Sequence, residues 1–113
     1  MSVVVVITNL PDSESAFNLG RHLVAHGLAA CVNVLGPVRS VYRWQGRVEE
    51  ASEVPLLIKT TSERYAALEQ AIVSLHPCEV PEIIALPVES GLAAYLEWVA
   101  SETDSAPAAD PVP

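Results

Sequence analysis

Residues 75–88 read L-H-P-C-E-V-P-E-I-I-A-L-P-V, and the way this stretch divides decides the fold. Pro77 cannot continue a helix, so the apolar stripe Tyr65, Leu68, Ile72 and Leu75 ends there. That helix follows Thr61 or Ser62, either of which can cap it. Beyond Pro81, Ile83 to Val88 is a continuous apolar run of strand length, and Pro87 inside it points to a sheet edge. The stretch is therefore a helix-to-strand turn that happens to carry a histidine, a cysteine and two glutamates between its prolines.

Working outward, the first half of the chain repeats the pattern. Val3 to Ile7 is a β-branched run suited to a strand buried on both faces. Asp12 or Ser13 caps a helix with Glu14 in its first turn, apolar residues at Ala16, Leu19, Leu23 and Val24, and Gly27 as its stop. Leu28 to Leu35 is the next strand. After Gly36-Pro37, Val38 to Trp44 should pair with Arg47 to Glu53 around a Gln45-Gly46 turn. That register puts Tyr42, Trp44, Arg47 and Glu49 on one face, and Arg39 and Arg43 near Glu50 on the other. The strand then runs on through V-P-L-L-I-K-T, where Pro55 predicts a bulge or an unpaired position. A last helix opens at Ser90-Gly91 and carries Leu92, Tyr95, Leu96 and Val99 on one side. Two split βαβ units plus a C-terminal helix make an α+β, ferredoxin-like domain over residues 1–103 with an antiparallel sheet. The Pro-, Ala- and Asp-rich tail at 104–113 predicts disorder.

Helices cover one face of such a sheet, and the other face normally alternates with polar residues. Here V-V-V-V-I, A-A-C-V-N-V-L, P-L-L-I and I-I-A-L-P-V are apolar throughout. Both faces want covering, which predicts a homo-oligomer packed sheet against sheet. With 113 residues, half of them apolar, the chain has material for one real core. Fourteen acids against six Lys and Arg give a net charge of −8, which excludes nucleic acid and anionic membrane surfaces as natural partners. The N-terminal run is too short for a signal or a span, so a soluble, cytoplasmic protein is expected. Cys31 and Cys78 are too few for a disulfide scaffold.

The segments L-A-A-C-V-N, Y-R-W-Q-G-R-V-E-E, S-E-V-P-L-L-I-K-T, H-P-C-E-V-P-E-I-I-A-L-P-V and Y-L-E-W, in this order over residues 3–100, resemble the CutA divalent-cation tolerance family. The resemblance implies a ferredoxin-like subunit in a homotrimer, a part in tolerance of divalent metal ions, copper binding, and no catalytic activity. A cysteine of some members falls at Ile7 here, and a histidine of some members falls at Leu75, so His76 alone remains of that ligand set. Cys78 stands where the family's H-P-Y-E pattern has tyrosine.

His76, Cys78, Glu79 and Glu82 offer nitrogen, sulfur and oxygen donors to Cu2+ or Zn2+. The same residues also read as a helix end and turn, with His76 meeting the last free carbonyls. Trp44, Arg47 and Lys59 are candidates to line a cleft between subunits. A rival reading of that cleft is a PII-like sensor in which Arg43, Arg47 and Lys59 hold a small anionic metabolite and Trp44 stacks on it. His22 and His26 stand one helical turn apart, a chelating spacing that surface histidines also show. Cys31 lies in an apolar strand as a small hydrophobe, and Glu49, Glu50 and Glu53 read as a solvated surface. No nucleophile pairing, phosphate loop or organic-cofactor motif appears, so an enzyme is not expected.

Overall fold

Eight elements follow one another in the computed structural model, which describes residues 2–103: β1 (Val3–Leu10), α1 (Ser13–Ala25), β2 (Cys31–Val34), β3 (Val38–Trp44), β4 (Arg47–Thr61), α2 (Tyr65–Leu75), β5 (Ile83–Pro87) and α3 (Ala93–Glu102). The tail expected at 104–113 lies outside the described residues. All strand pairings are antiparallel, in the order β2-β4-β1-β5, with β3 pairing a separate length of β4. The result is an α+β fold with three helices and an antiparallel sheet.

The first helix is built as its sequence requires. The Asp12 carboxylate accepts from the Ser15 backbone N–H at 2.7 Å and caps the N-terminus. At the other end Gly27 takes φ +69°, its N–H bonds the Val24 carbonyl, and the Leu28 N–H bonds the Leu23 carbonyl. This Schellman arrangement satisfies carbonyls that the helix would otherwise leave free. At Gly20 a Cβ would stand 3.2 Å from Val32 Cγ1, so the glycine lets α1 sit close on β2.

Alternation along the central strands separates two cores. Val4, Val6 and Leu10 of β1 and Val54, Leu56 and Ile58 of β4 are buried with Leu19 and Leu23 of α1 and Leu68 and Ile72 of α2. On the opposite parity Val3 packs with Ala30 and Val99, so α3 covers part of the second face. Tyr95 of α3 stands beside Cys31; burial raises its phenol pKa above the ordinary value, and the neighbouring thiol adds to the rise. The rest of that face keeps a half-exposed apolar row, with Val5 and Ile7 opposite Leu86 and Ile84 of β5 and Leu57 beside them on β4.

The hairpin faces agree with the expected register. Trp44 lies opposite Arg47 and Tyr42 opposite Glu49, while Arg39 bonds Glu50 at 2.8 Å across the other face. Gln45 and Gly46 take φ +51° and +80°, the two positive values that a tight hairpin turn demands. Pro55 marks an unpaired position as expected: on one edge of β4 the pairing with β2 ends at Leu56 and that with β3 resumes at Glu53, shifted by one residue, while β1 stays in register with Asn9 opposite Pro55. The Pro55 carbonyl accepts from Leu35, so its ring nitrogen faces the edge where β2 has ended and β3 has not begun. Two expectations about helix starts are corrected. Neither Thr61 nor Ser62 caps α2 by side chain, because a backbone turn bonding Arg64 to Thr61 and Tyr65 to Ser62 leads into the helix at Arg64. The last helix starts at Ala93, with Leu92 in place of Ser90-Gly91 at its N-cap.

Because Leu23 is fully buried under α1, Leu23→Ala should lower unfolding stability by about 2–5 kcal/mol, whereas Asp12→Ala should cost about 1 kcal/mol. Urea denaturation followed by far-UV circular dichroism compares the two, and equal losses would contradict this division between core and cap.

Candidate functional site

At the end of β1, the C-terminus of α2 and the turn into β5 meet the β3–β4 hairpin, from Glu53 at its base to Trp44 beside its turn. Between them lies an open groove of about 810 Å³. The segment Cys78 to Glu82 forms one wall, and Tyr42, Trp44 and Glu53 contribute the other. Of the residues expected to matter, His76, Cys78, Glu79, Glu82 and Trp44 are brought to this one place.

His76 is the part of the groove most tightly specified. It follows the last residue of α2, and its backbone N–H bonds the Ile72 carbonyl at 2.8 Å. The ring is buried, and both nitrogens are engaged. The Cys78 backbone N–H donates to Nδ1 at 3.0 Å, which makes Nδ1 the unprotonated nitrogen. Nε2 therefore carries the proton and donates it to the Asn9 carbonyl at 2.5 Å. One ring thus ties the end of β1 to the first residues of the turn, across a sequence separation of 67.

This geometry tests the donor set. A metal ligand needs a nitrogen lone pair, and the one lone pair of this tautomer is already used by Cys78. In this arrangement His76 does not fit as a ligand. Glu82 is held by the Asn9 amide, which donates to its Oε1 at 3.1 Å. Its carboxylate is thereby oriented while retaining other lone pairs. Cys78 and Glu79 are exposed. Among the described residues, no three His, Cys, Asp or Glu side chains converge as a metal-holding group.

Arg47 and Lys59 are not brought into this groove within one chain. Lys59 donates to the Asn33 side chain. It pairs with Val5 while Pro55 pairs with Asn9, so it lies four residues, about 13 Å, along the strand from the groove. Asn9 is not among the residues the sequence singles out, yet its carbonyl and amide hold both His76 and Glu82. The signal was indirect: once β5 pairs with β1 and Thr8 meets Ile83, Asn9 and Glu82 are the next residues on each side.

A comparison with known proteins identifies the family. The model of the CutA1 divalent ion tolerance protein matches residues 4–102. The chain belongs to the CutA1 divalent ion tolerance family. The divalent-cation tolerance protein CutA of Thermus thermophilus is 45% identical over 91% of this chain and 99% of its own length. Protein CutA of Mus musculus is 44% identical over 92% of this chain, which spans 59% of the mouse protein. The structure of CutA1 from Oryza sativa superimposes with a TM-score of 0.90 at 36% identity, over 94% of this chain and 97% of that one.

Removing the His76 ring deletes two hydrogen bonds at a buried position. His76→Ala should destabilise the fold by about 2–3 kcal/mol without any metal present. Nitrogen-15 NMR of the wild-type imidazole should show the proton on Nε2, retained there in saturating Zn2+. A proton on Nδ1, or loss of the Nε2 proton signal in favour of a metal-bound nitrogen on adding Zn2+, would refute the assignment.

Proposed function

We propose that this chain works as a ferredoxin-like homotrimer in divalent-ion tolerance, binding ions such as Cu2+ or Zn2+ in the cytoplasm rather than catalysing a reaction. The observation that carries the metal reading is that Cys78, Glu79, Glu82 and Glu53 all line one groove. Thiolate and carboxylate donors suit borderline divalent ions, and the overall charge of −8 favours cations near any part of the surface. His76 serves this site from behind by fixing the path of the backbone from Pro77 to Cys78. With fewer than three donors gathered among the described residues, water or another copy of the chain completes the coordination.

Self-association is supported by the uncovered part of the sheet. Ile84 and Leu86 are each about half exposed on the edge strand β5, next to Val5 and Ile7. A contiguous apolar row beside an unpaired edge marks an interaction surface. The strand order, with the two βαβ units interleaved, supports the ferredoxin-like description.

The rival reading, a sensor of a small anionic metabolite, receives less support. Its cations are scattered, since Lys59 lies along the strand and Arg43 sits on the opposite face of β3 from Trp44, while the groove itself is lined by carboxylates. His76 also has no free nitrogen to act as a base toward Cys78, because both are bonded to backbone groups.

Two measurements test the proposal. Sedimentation velocity at micromolar concentration should give three times the mass of one chain, and Leu86→Asp should shift it toward monomer; a wild-type monomer would refute the assembly. In a His22→Ala/His26→Ala background, calorimetric titration with Cu2+ should show binding that Cys78→Ser and Glu82→Gln each weaken by about tenfold. Affinity unchanged by both substitutions would remove the groove from the function.

A further inference from the structure

The last turn of α1 carries two imidazoles outside the groove. Their ring centroids stand 4.1 Å apart with 30° between the planes, so the side chains at i and i+4 are already in contact. The His26 Nδ1–H donates to the His22 backbone carbonyl at 2.8 Å. A carbonyl only accepts, so the proton of neutral His26 is on Nδ1 and the lone pair is on Nε2, across the ring from the helix backbone. His26 is exposed, His22 is half-buried, and no hydrogen bond engages the ring nitrogens of His22 among the described residues.

We infer that His22 and His26 form a second, surface metal site, a two-imidazole chelate for a borderline divalent ion. Two nitrogens on one tetrahedral ion lie about 3.4 Å apart, given metal–nitrogen bonds of about 2.0–2.1 Å. The i, i+4 spacing already holds the two rings in contact, and because stacked rings carry their in-plane lone pairs side by side, rotation about the side-chain torsions is the movement that aims both nitrogens at one ion. The site sits at the C-terminal end of α1, where the helix dipole favours positive charge. His26 is further prepared by its bond to the helix, since a histidine that donates its other N–H to a carbonyl is held in the tautomer and orientation a metal needs. That is the reverse of His76, whose acceptor nitrogen is closed off by a backbone N–H. Cu2+ should bind more tightly than Zn2+, in the order that nitrogen sites follow, with water filling the remaining positions.

The test uses the full-length protein carrying Cys78→Ser and Glu82→Gln, so its result stands apart from that of the groove. Calorimetric titration with Cu2+ and Zn2+ should show one ion per chain. His22→Ala and His26→Ala should each weaken binding by at least about tenfold, the scale of loss seen when even a supporting partner of a metal ligand is removed. The electron paramagnetic resonance spectrum of the Cu2+ form should carry hyperfine coupling from two imidazole nitrogens. In the unsubstituted protein, Zn2+ should slow modification of both histidines by diethyl pyrocarbonate, read by mass spectrometry. Affinity unchanged in both alanine variants, or modification rates unaffected by Zn2+, would overturn the site.

Discussion

The fold depends on one strand. β4 runs for fifteen residues without a break, holding β1 along one edge and, in succession, β3 and β2 along the other. Its inner half alternates Val54, Leu56, Ile58 and Thr60 toward α1 and α2, and Pro55, Leu57 and Lys59 toward the second face. Its outer half leaves the core altogether and becomes the exposed hairpin with β3. The change from buried to exposed occurs near Val54, beside the end of β1, and the groove forms at that junction. Pro55 fits there because the strand edge it faces has no donor requirement at that point, so a residue that usually interrupts a sheet instead occupies the gap between β2 and β3.

Burial on the two faces is unequal, and this shapes what the surface can do. The face under α1 and α2 holds the larger continuous core, whereas α3 closes the other only around Val3, Ala30 and Val99. Deletion of an apolar side chain from the first core creates a cavity, but the row from Val5 to Leu86 is half-solvated in the isolated chain and gains stability only if a second surface covers it. The exposed Val41 and Val48 of the hairpin extend the same argument, since both are apolar and face outward on one side of the ribbon.

Much of this was legible in the residues, and the parts that were not share a cause. Periodicity and local turn chemistry act over a few positions, so the helix bounded by Asp12 and Gly27, the Gln45-Gly46 hairpin with its two faces, and the edge position of the strand ending at Pro87 could all be read directly. The starts of α2 and α3 differ from those their sequences suggest because a backbone turn and Leu92 stand in place of side-chain caps. The groove was legible only by half. Its wall from Cys78 to Glu82 is contiguous and conspicuous, but Asn9 approaches from the other end of the chain, and nothing local to it announces that its carbonyl meets a histidine. Arg47 and Lys59 look like cleft residues by charge alone, and it is the strand register that separates Lys59 from the groove.

The three histidines show why a list of donor residues is a weaker guide than the account of their protons. A neutral imidazole has one N–H and one lone pair, and whichever group binds the first nitrogen decides what the second can do. At His76 a backbone donor takes the lone pair and a backbone acceptor takes the proton, so the ring becomes a strut between β1 and the turn. At His26 a backbone acceptor takes the proton alone, and the lone pair stays available at the surface. The residue embedded among sulfur and carboxylate donors is thereby the one closed to metal, and the one on a plain helix end is open. On the proposed function, metal chemistry in the groove would rest on Cys78, Glu79 and Glu82, and the His76 ring fixes the backbone that carries Cys78. An imidazole that orders the wall in this way contributes rigidity and no ligand, because both of its nitrogens are already used.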